Sequence, residues 1–359
     1  MPTLFLSGDL MLGRGIDQIL PQPCPPELFE PWVRDARDYV RLMTDQKGPL
    51  PTPVAPDYPW GFALEVLDRL GPQLRLVNLE TAVTCSANPW PGKGIHYRLS
   101  PQNAAVLGAA ALDGCILANN HVLDWGRPGL TETLLVLKGL GIQAIGAGRD
   151  DRAARAPAIF PLPSGRLLAF GCGHGSSGIP RDWSATGDRA GVWYLDKLGQ
   201  GELDEIAAAI QAWRRPGDRV LVSIHWGGNW GFAVPAEQKA FARALVELGV
   251  DLVHGHSSHH VKGLEIYKGR LILYGAGDLI NDYEGIAARA GYRDDLSFLY
   301  LPTLADDGAL ASLLLVPTRL EQFRLVPPAP DEVAELGAIL ARESRLAFTT
   351  TQEGWLRLA

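Results

Sequence analysis

The 359 residues carry 33 Lys and Arg against 40 Asp and Glu, a formal charge of −7, which argues against a nucleic-acid partner, since such proteins present a basic patch. A hydrophobic share of 47% is enough for a sizeable core, and no apolar run approaches the ~20 residues that span a bilayer, so no membrane anchor is read. The start Met-Pro-Thr gives no secretory signal and Cys24, Cys85, Cys115 and Cys172 match no paired spacing; the expectation is a cytoplasmic protein with reduced thiols, Cys115 and Cys172 packed as small hydrophobes.

In chain order, Leu4–Ser7 reads as a strand ending in Gly8-Asp9, and a glycine-rich turn leads to a short helix near Ile16–Leu20. Residues 21–61 hold ten prolines around one helix-like stretch, Phe29–Met43. Such density breaks regular structure and predicts an insertion, either an edge excursion or a lid or wall beside a site. From residue 62 the pattern alternates. Helix-like Ala63–Leu70, Gln102–Ala110, Gly129–Leu140, Leu203–Ala212 and Glu237–Leu248 intersperse with apolar runs such as Leu74–Val77, Cys115–Ala118, Val220–Ile224 and Val250–Val253. This order predicts a largely parallel sheet with helices on its faces.

Two hairpins follow from turn chemistry, Ala158–Phe160 with Leu167–Phe170 and Leu264–Tyr267 with Leu271–Tyr274. Leu296–Leu301 and Leu310–Pro317 add two strands, so the second half is expected to be antiparallel. The sum is an α/β fold of two stacked mixed sheets with outer helices. It is read as one domain over residues 1–320 with the insertion at 21–61, and a C-terminal helical extension at 321–359 packed on the domain around Pro330–Leu346.

Polar clusters close five of the apolar runs, and open α/β sheets gather ligands at strand ends. Seven of the eight histidines lie in such segments, His96 alone standing apart; scattered surface histidines would not sort this way. Asp9 suits a divalent cation or a general base. Arg14 could clamp an anion or pair with a surface carboxylate. Asn78 and Glu80 flank Leu79 at strand spacing, so both face one way, as oxygen ligands or as turn caps. Asn120 and His121 place an amide ligand beside an imidazole proton donor, with Asp124 able to orient the imidazole; a turn role for Asn120 is the alternative.

His225 opens a stretch in which Trp226, Asn229 and Trp230 lie between glycines. This suggests a ligand beside an aromatic substrate wall, or else a packing corner. Within His254–His260, His256 and His259 are chosen as ligands because Gly255 lets the backbone turn; His254 or His260 would be core or surface. Ser176 and Ser177 could hold an anion with hydroxyls and amides, or sit in a flexible connection. No phosphate-loop or nucleophile-elbow pattern is present.

Taken together, these stretches resemble the CapA/PgsA (poly-γ-glutamate synthesis) family of bacterial capsule-synthesis proteins. The resemblance rests on Gly8-Asp9-Leu10-Met11-Leu12-Gly13-Arg14, Asn78-Leu79-Glu80, Asn119–Gly126, Ser176–Pro180, Ser223–Gly227 and Gly255–His259. That family is similar to the calcineurin-like metallophosphoesterases, which implies a four-layer α-β-β-α sandwich with a one- or two-metal site at the strand ends. By the same resemblance Asp9 begins an Asp-x-His motif in which Met11 replaces the histidine. Glu80 stands for a metal-bridging aspartate, Asn120 and His121 for the Asn-His pair, His225 for an isolated ligand, and His256 and His259 for a closing Gly-His-x-His with one residue extra.

The implied cofactor is divalent manganese, iron or zinc, as one or two ions, with a single ion or one strong and one weak site fitting best. Three functions compete. One is hydrolysis of a phosphoester or peptide/amide bond with His121 as acid. Another is α-proton abstraction of the peptide-epimerase kind seen in relatives acting on lasso peptides. The third is a non-catalytic accessory subunit of a polyglutamate-synthesising complex, whose members usually carry an anchor. The reading favours a hydrolase acting on a small-molecule or peptide substrate; oligomeric state is left open.

Overall fold

In the computed structural model, which describes residues 1–286 and 291–359, strand Leu4–Leu10 is buried at all seven positions, as a strand covered on both faces must be. It lies inside a ten-stranded sheet. The order runs Phe348–Thr350, Leu356–Leu358, Leu310–Glu321, Leu296–Leu304, Leu4–Leu10, Leu74–Leu79, Gly114–Ile116 and Gln143–Ile145. Asp278–Ile280 pairs with Leu4–Leu10, and Arg324–Val326 with Leu310–Glu321. The half from Leu4 to Ile145 is parallel; Leu296–Leu304 and Leu310–Glu321 join antiparallel.

A second, seven-stranded sheet runs Tyr194–Leu195, Arg166–His174, Arg219–His225, Leu252–His256, Arg270–Leu273 and Leu264–Tyr267, with Ala158–Pro161 on Arg166–His174. Alternation along each strand divides three cores. Leu4, Leu6, Leu76 and Ile116 meet Leu167, Ala169, Leu221 and Leu271 between the sheets. On the outer face of the first sheet, Phe5, Val77 and Cys115 meet Leu67, Leu107, Leu130 and Leu137. On the outer face of the second, Phe170, Val220 and Val222 meet Leu203, Ile206, Ile210 and Phe241. The fold is a four-layer α-β-β-α sandwich.

The helices follow their apolar spacing. Phe62–Leu70 buries Ala63, Val66 and Leu67 and stops at Gly71 in the left-handed conformation, φ 54°. Gln200–Trp213 buries Leu203, Ile206 and Ile210. The helix expected at Phe29–Met43 begins only at Arg37 and ends at Lys47; the stretch before it, with Pro31, folds irregularly around a bridge between Glu27 and Asp35. Gln102–Ala110 divides into a turn at Pro101–Asn103 and a short helix at Ala105–Ala109.

The second half departs from the antiparallel expectation. Both hairpins form, yet Arg166–His174, Arg219–His225, Leu252–His256 and Arg270–Leu273 are parallel neighbours. Helices Gln200–Trp213 and Ala236–Glu247 carry the chain back between strands, and a parallel pair requires such a crossover. Beyond residue 320, helix Pro330–Ser344 is followed by two strands that extend the first sheet through Leu310–Glu321. That segment is sheet edge as well as helix, not helix alone. No helix among the described residues is long and apolar enough to cross a membrane.

Candidate metal centre

Asp9 stands where the first sheet's parallel strands end. The register slips between Ser7 and Asp9 against Leu74–Leu79 and again after Asp9 against Asp278–Ile280, irregularities of the kind that re-aim a side chain. Gly8 makes the approach possible, since a Cβ there would lie 1.7 Å from the Gly277 carbonyl oxygen. Asp9 N–H donates to that oxygen at 2.9 Å, which sets Asp9 directly beside Asp278.

The second sheet supplies imidazoles. His225 and His256 are register partners on adjacent parallel strands, and their Nδ1 atoms lie 2.7 Å apart. The Ser223 hydroxyl touches His256 Nε2 at 2.9 Å and His254 Nδ1 at 3.0 Å; His254 Nε2 donates to the Ser7 carbonyl at 2.9 Å. His254 is thus a buried link between the two sheets that holds His256 through Ser223. Ser257 adopts φ 102°, a strained value for a residue other than glycine, and so directs its N–H to Asp9 Oδ2 at 3.2 Å.

Two groups of potential ligands result. One atom each of Asp9, His225 and His256 lies within 4.8 Å of the others, and the same holds for Asp9, His259 and Asp278; all are buried. Sharing Asp9 between two triads is the arrangement a two-ion site needs. Glu80 and Asn120 border the first triad. A Glu80 oxygen lies 3.9 Å from His225 Nε2 and 3.8 Å from His121 Nε2, and Asn120 Oδ1 lies 2.9 Å from His225 Nε2.

The charges call for a cation. Burial and then Asp278 push the Asp9 carboxyl up to about 7, and burial and then Asp9 raise Glu80 well above the usual range. Burial holds His225 and His256 well below the ordinary imidazole value, which leaves them in the neutral form that ligates. Burial opposes charge on His259 as well, but Asp278 overrides it and raises that imidazole. Three buried carboxylates beside the neutral imidazoles of His225 and His256 are costly without positive charge between them. The mixed nitrogen and oxygen donors fit manganese, iron or zinc.

Above this centre lies a cavity of about 720 Å³ whose walls include Asn120, His121, Asn229, Trp230 and His259. Glu30, Trp32 and Tyr39 of the proline-rich insertion close one side, so residues 21–61 contribute a wall. Asp124 Oδ2 is 2.6 Å from His121 Nδ1 and accepts the Tyr97 N–H at 2.6 Å. The half-buried Lys93 donates to Asp124 Oδ1. Asp124 Oδ2 and the Lys93 ammonium, 3.0 Å away, both meet His121 Nδ1, which holds the ring with Nε2 on the Glu80 side. Burial pulls His121 down to about 4. The expected proton donor is thus a neutral imidazole that must gain a proton before it can give one.

Several expected substrate contacts are corrected. Trp226 is 2% exposed, donates its indole N–H to the Tyr274 carbonyl at 3.0 Å and stacks on that ring; it is core, and only Trp230 of the pair faces the cavity. Arg14 is gripped by Asp282 and Glu30 over the Tyr39 ring, so its charge is already matched. Ser177 Oγ reaches the carbonyls of His174 and His225, and Ser176 Oγ accepts from Gly227 N–H. Both serines fasten loops to one another. Asn78 Nδ2 donates to Asp9 Oδ1 at 2.7 Å and Glu80 Oε2 at 3.3 Å, which makes it a clamp on the carboxylates. Asn229 lines the cavity but contacts His259 Nε2 at 2.9 Å.

Four residues escaped the sequence reading. Asp278 stands beside Asp9, while Met11, which takes the histidine's position in the Asp-x-His pattern, is fully buried. A signal existed, because Gly277-Asp278-Leu279 repeats Gly8-Asp9-Leu10. Lys93 gave no signal in its loop. Asn119, which ties Asn78 to the His121 turn, was overshadowed by Asn120, and Ser223 lay hidden inside an apolar strand.

Residues 3–283 match the family described as bacterial capsule synthesis protein PGA_cap. The chain is 44% identical over 347 residues to the probable polyglutamine synthesis accessory protein of Mycobacterium tuberculosis (strain CDC 1551 / Oshkosh), covering 96% of this chain and 91% of that one. It is 25% identical over 276 residues to the PGA biosynthesis protein CapA of Bacillus subtilis (strain 168), covering 77% and 62%. Among solved structures it is similar to the 5′-nucleotidase precursor from Thermus thermophilus, with TM-score 0.46 and 15% identity over 95% of this chain and 58% of that one. The chain belongs to the bacterial capsule synthesis protein family PGA_cap.

Proposed function

We propose that this member of the capsule-synthesis family is a metal-dependent hydrolase that cleaves an amide or phosphoester bond presented in the cavity over His121 and His259. The observation that carries the reading is the pair of buried triads sharing Asp9, one of which contributes His259 to the cavity wall. Asp9, His225 and His256, and Asp9, His259 and Asp278, would hold divalent ions, which when bound would supply Lewis acidity and lower the pKa of a bound water. The chain's own groups move the proton. His121, neutral and fixed by Asp124, accepts a proton at Nε2 and returns it to the leaving group, while Asp124 stabilises the imidazolium formed in between. Tyr97, edge-on to His121 at 4.6 Å between ring centres, limits its rotation. Trp230 and Tyr39 form apolar walls that restrict water.

The mycobacterial relative's description as an accessory protein favours a second reading, in which the chain assists a synthetic complex without turnover. The two separate on one assay. Protein loaded with manganese, iron or zinc is incubated with bis(p-nitrophenyl) phosphate and with an amino-acid p-nitroanilide. Hydrolysis predicts metal-dependent release of nitrophenol or nitroaniline, lowered about 10²–10⁴-fold by His121→Ala. A metal-loaded protein inert toward both would move the accessory reading forward. Solvent deuterium entering an uncleaved peptide would replace hydrolysis with proton abstraction at carbon.

A further inference from the structure

Among the described residues, the charged groups lining the cavity make ion pairs within the protein, with one exception. Arg14 is held by Asp282 and Glu30, Lys93 by Asp124 and His259 by Asp278. Asp294 lines the same cavity, and its carboxylate makes no ion pair among the described residues. Its place is fixed through Asn281, whose Nδ2 donates both to Asp278 Oδ2 and to the Asp294 carbonyl, each at 3.0 Å. Asp294 is therefore tied beside a residue of the metal centre. Burial and then Asp278 push its carboxyl up to about 6, with the His259 charge opposing them.

Two further features describe what fits there. Trp230 and Tyr283 line the same cavity and pack against His259 at 5.6 and 5.4 Å between ring centres. At the mouth, Trp32 is 89% exposed and Ile95 and Ile286 are each 44% exposed, all three bordering the cavity. Large apolar side chains left in water around an opening mark a surface that meets a ligand.

We propose that this end of the cavity binds a primary ammonium of a peptide-like substrate, with Asp294 as its counter-ion and the exposed rim taking the substrate's apolar part. A carboxylate in a cavity that aromatic rings also line is the chemistry that recognises an ammonium. Among the described residues, a substrate carboxylate would find the cavity's Arg14 and Lys93 already paired and would be repelled by Asp294. The inference rests on the cavity being the substrate site, as proposed above.

The test uses two probes that differ only in that charge, leucinamide and N-acetylleucinamide, titrated into the metal-loaded full chain by isothermal calorimetry. A buried charge-assisted contact predicts that the wild type binds leucinamide at least about tenfold more tightly. Asp294→Asn, with Asp294→Ser as a second variant, should equalise the two while metal content and thermal unfolding stay unchanged. Equal affinity in the wild type, binding of neither probe, or a preference that survives both variants would overturn the proposal. Loss of metal from the variants would also overturn it, by making Asp294 an ion ligand. Binding is read without turnover, so a failed amine preference and a failed hydrolysis assay are separate results.

Discussion

Replacing Gly8 with alanine tests the link between strand approach and the metal centre. The added Cβ would lie 1.7 Å from the Gly277 oxygen, 2.7 Å from the Gly277 carbon and 3.0 Å from the Ala276 carbon. All three are backbone atoms, so no rotamer relieves the clash. Ordinary contact begins at 3.4 Å, so the two segments must separate by about 3.4 − 1.7 = 1.7 Å. That movement would break the 2.9 Å Asp9 N–H to Gly277 bond and part Asp9 from Asp278, whereas ligand distances tolerate only about 0.2 Å. Overpacking of this kind costs about 1–3 kcal/mol, and the lost buried hydrogen bond adds about 1–3 kcal/mol. Urea unfolding should therefore show a loss of about 2–6 kcal/mol, and elemental mass spectrometry after dialysis should show less metal than in the wild type. Gly108→Ala is the control, since its Cβ meets nothing within 4 Å and helix propensity favours alanine there. A Gly8→Ala protein with unchanged metal content and stability within about 1 kcal/mol of wild type would refute the reasoning.

Two other predictions rest on buried groups. Asp124→Asn removes the charge that faces His121, Lys93 and the Tyr97 N–H; breaking a buried pair from one side costs about 3–5 kcal/mol, and urea unfolding that shows less than about 1 kcal/mol would mean the lysine is stabilised otherwise. In a thiol-reagent titration near pH 8, only Cys85 should react quickly, because it is exposed while Cys24, Cys115 and Cys172 are buried; burial pushes the Cys24 thiol up to about 12 and raises the other two, so a second fast thiol would contradict the packing.

Much of the architecture was legible because strand ends announce themselves. Short apolar runs closing on Gly-Asp, Asn-Leu-Glu, Asn-Asn-His and His-Trp locate the ends of Leu4–Leu10, Leu74–Leu79, Gly114–Ile116 and Arg219–His225. Pairing direction was not legible in the second half. The turn at Ser164-Gly165 correctly signals a hairpin, but it says nothing about the other edge of Arg166–His174, which takes Arg219–His225 in parallel. Facing was the other obscurity. Trp226 and Trp230 sit among the same glycines, yet one is core and the other lines the cavity, because Gly227 at φ 81° turns the chain between them. Arg14 reads as an anion clamp only while Asp282, 268 residues away in sequence, is left out of account.

The division of candidate ligands between the sheets explains why no single stretch of sequence displays the proposed centre. Asp9, Glu80 and Asp278 come from strands of the first sheet or their ends, and His225 and His256 from the second. The carboxylates repel one another and the imidazoles are neutral, so neither sheet alone is a good site; the donor set exists only where the strand ends of the two stacked layers meet. The polar links across that seam serve the same end. His254 reaches the Ser7 carbonyl and Ser257 N–H reaches Asp9, so the sheet that provides nitrogen is registered by hydrogen bonds to the strand that provides oxygen. A buried His254 with no ligand role is then not idle. Its two ring nitrogens join Ser7 to Ser223, and Ser223 in turn holds His256, which sets the distance between the two halves of the centre by bonds independent of any ion.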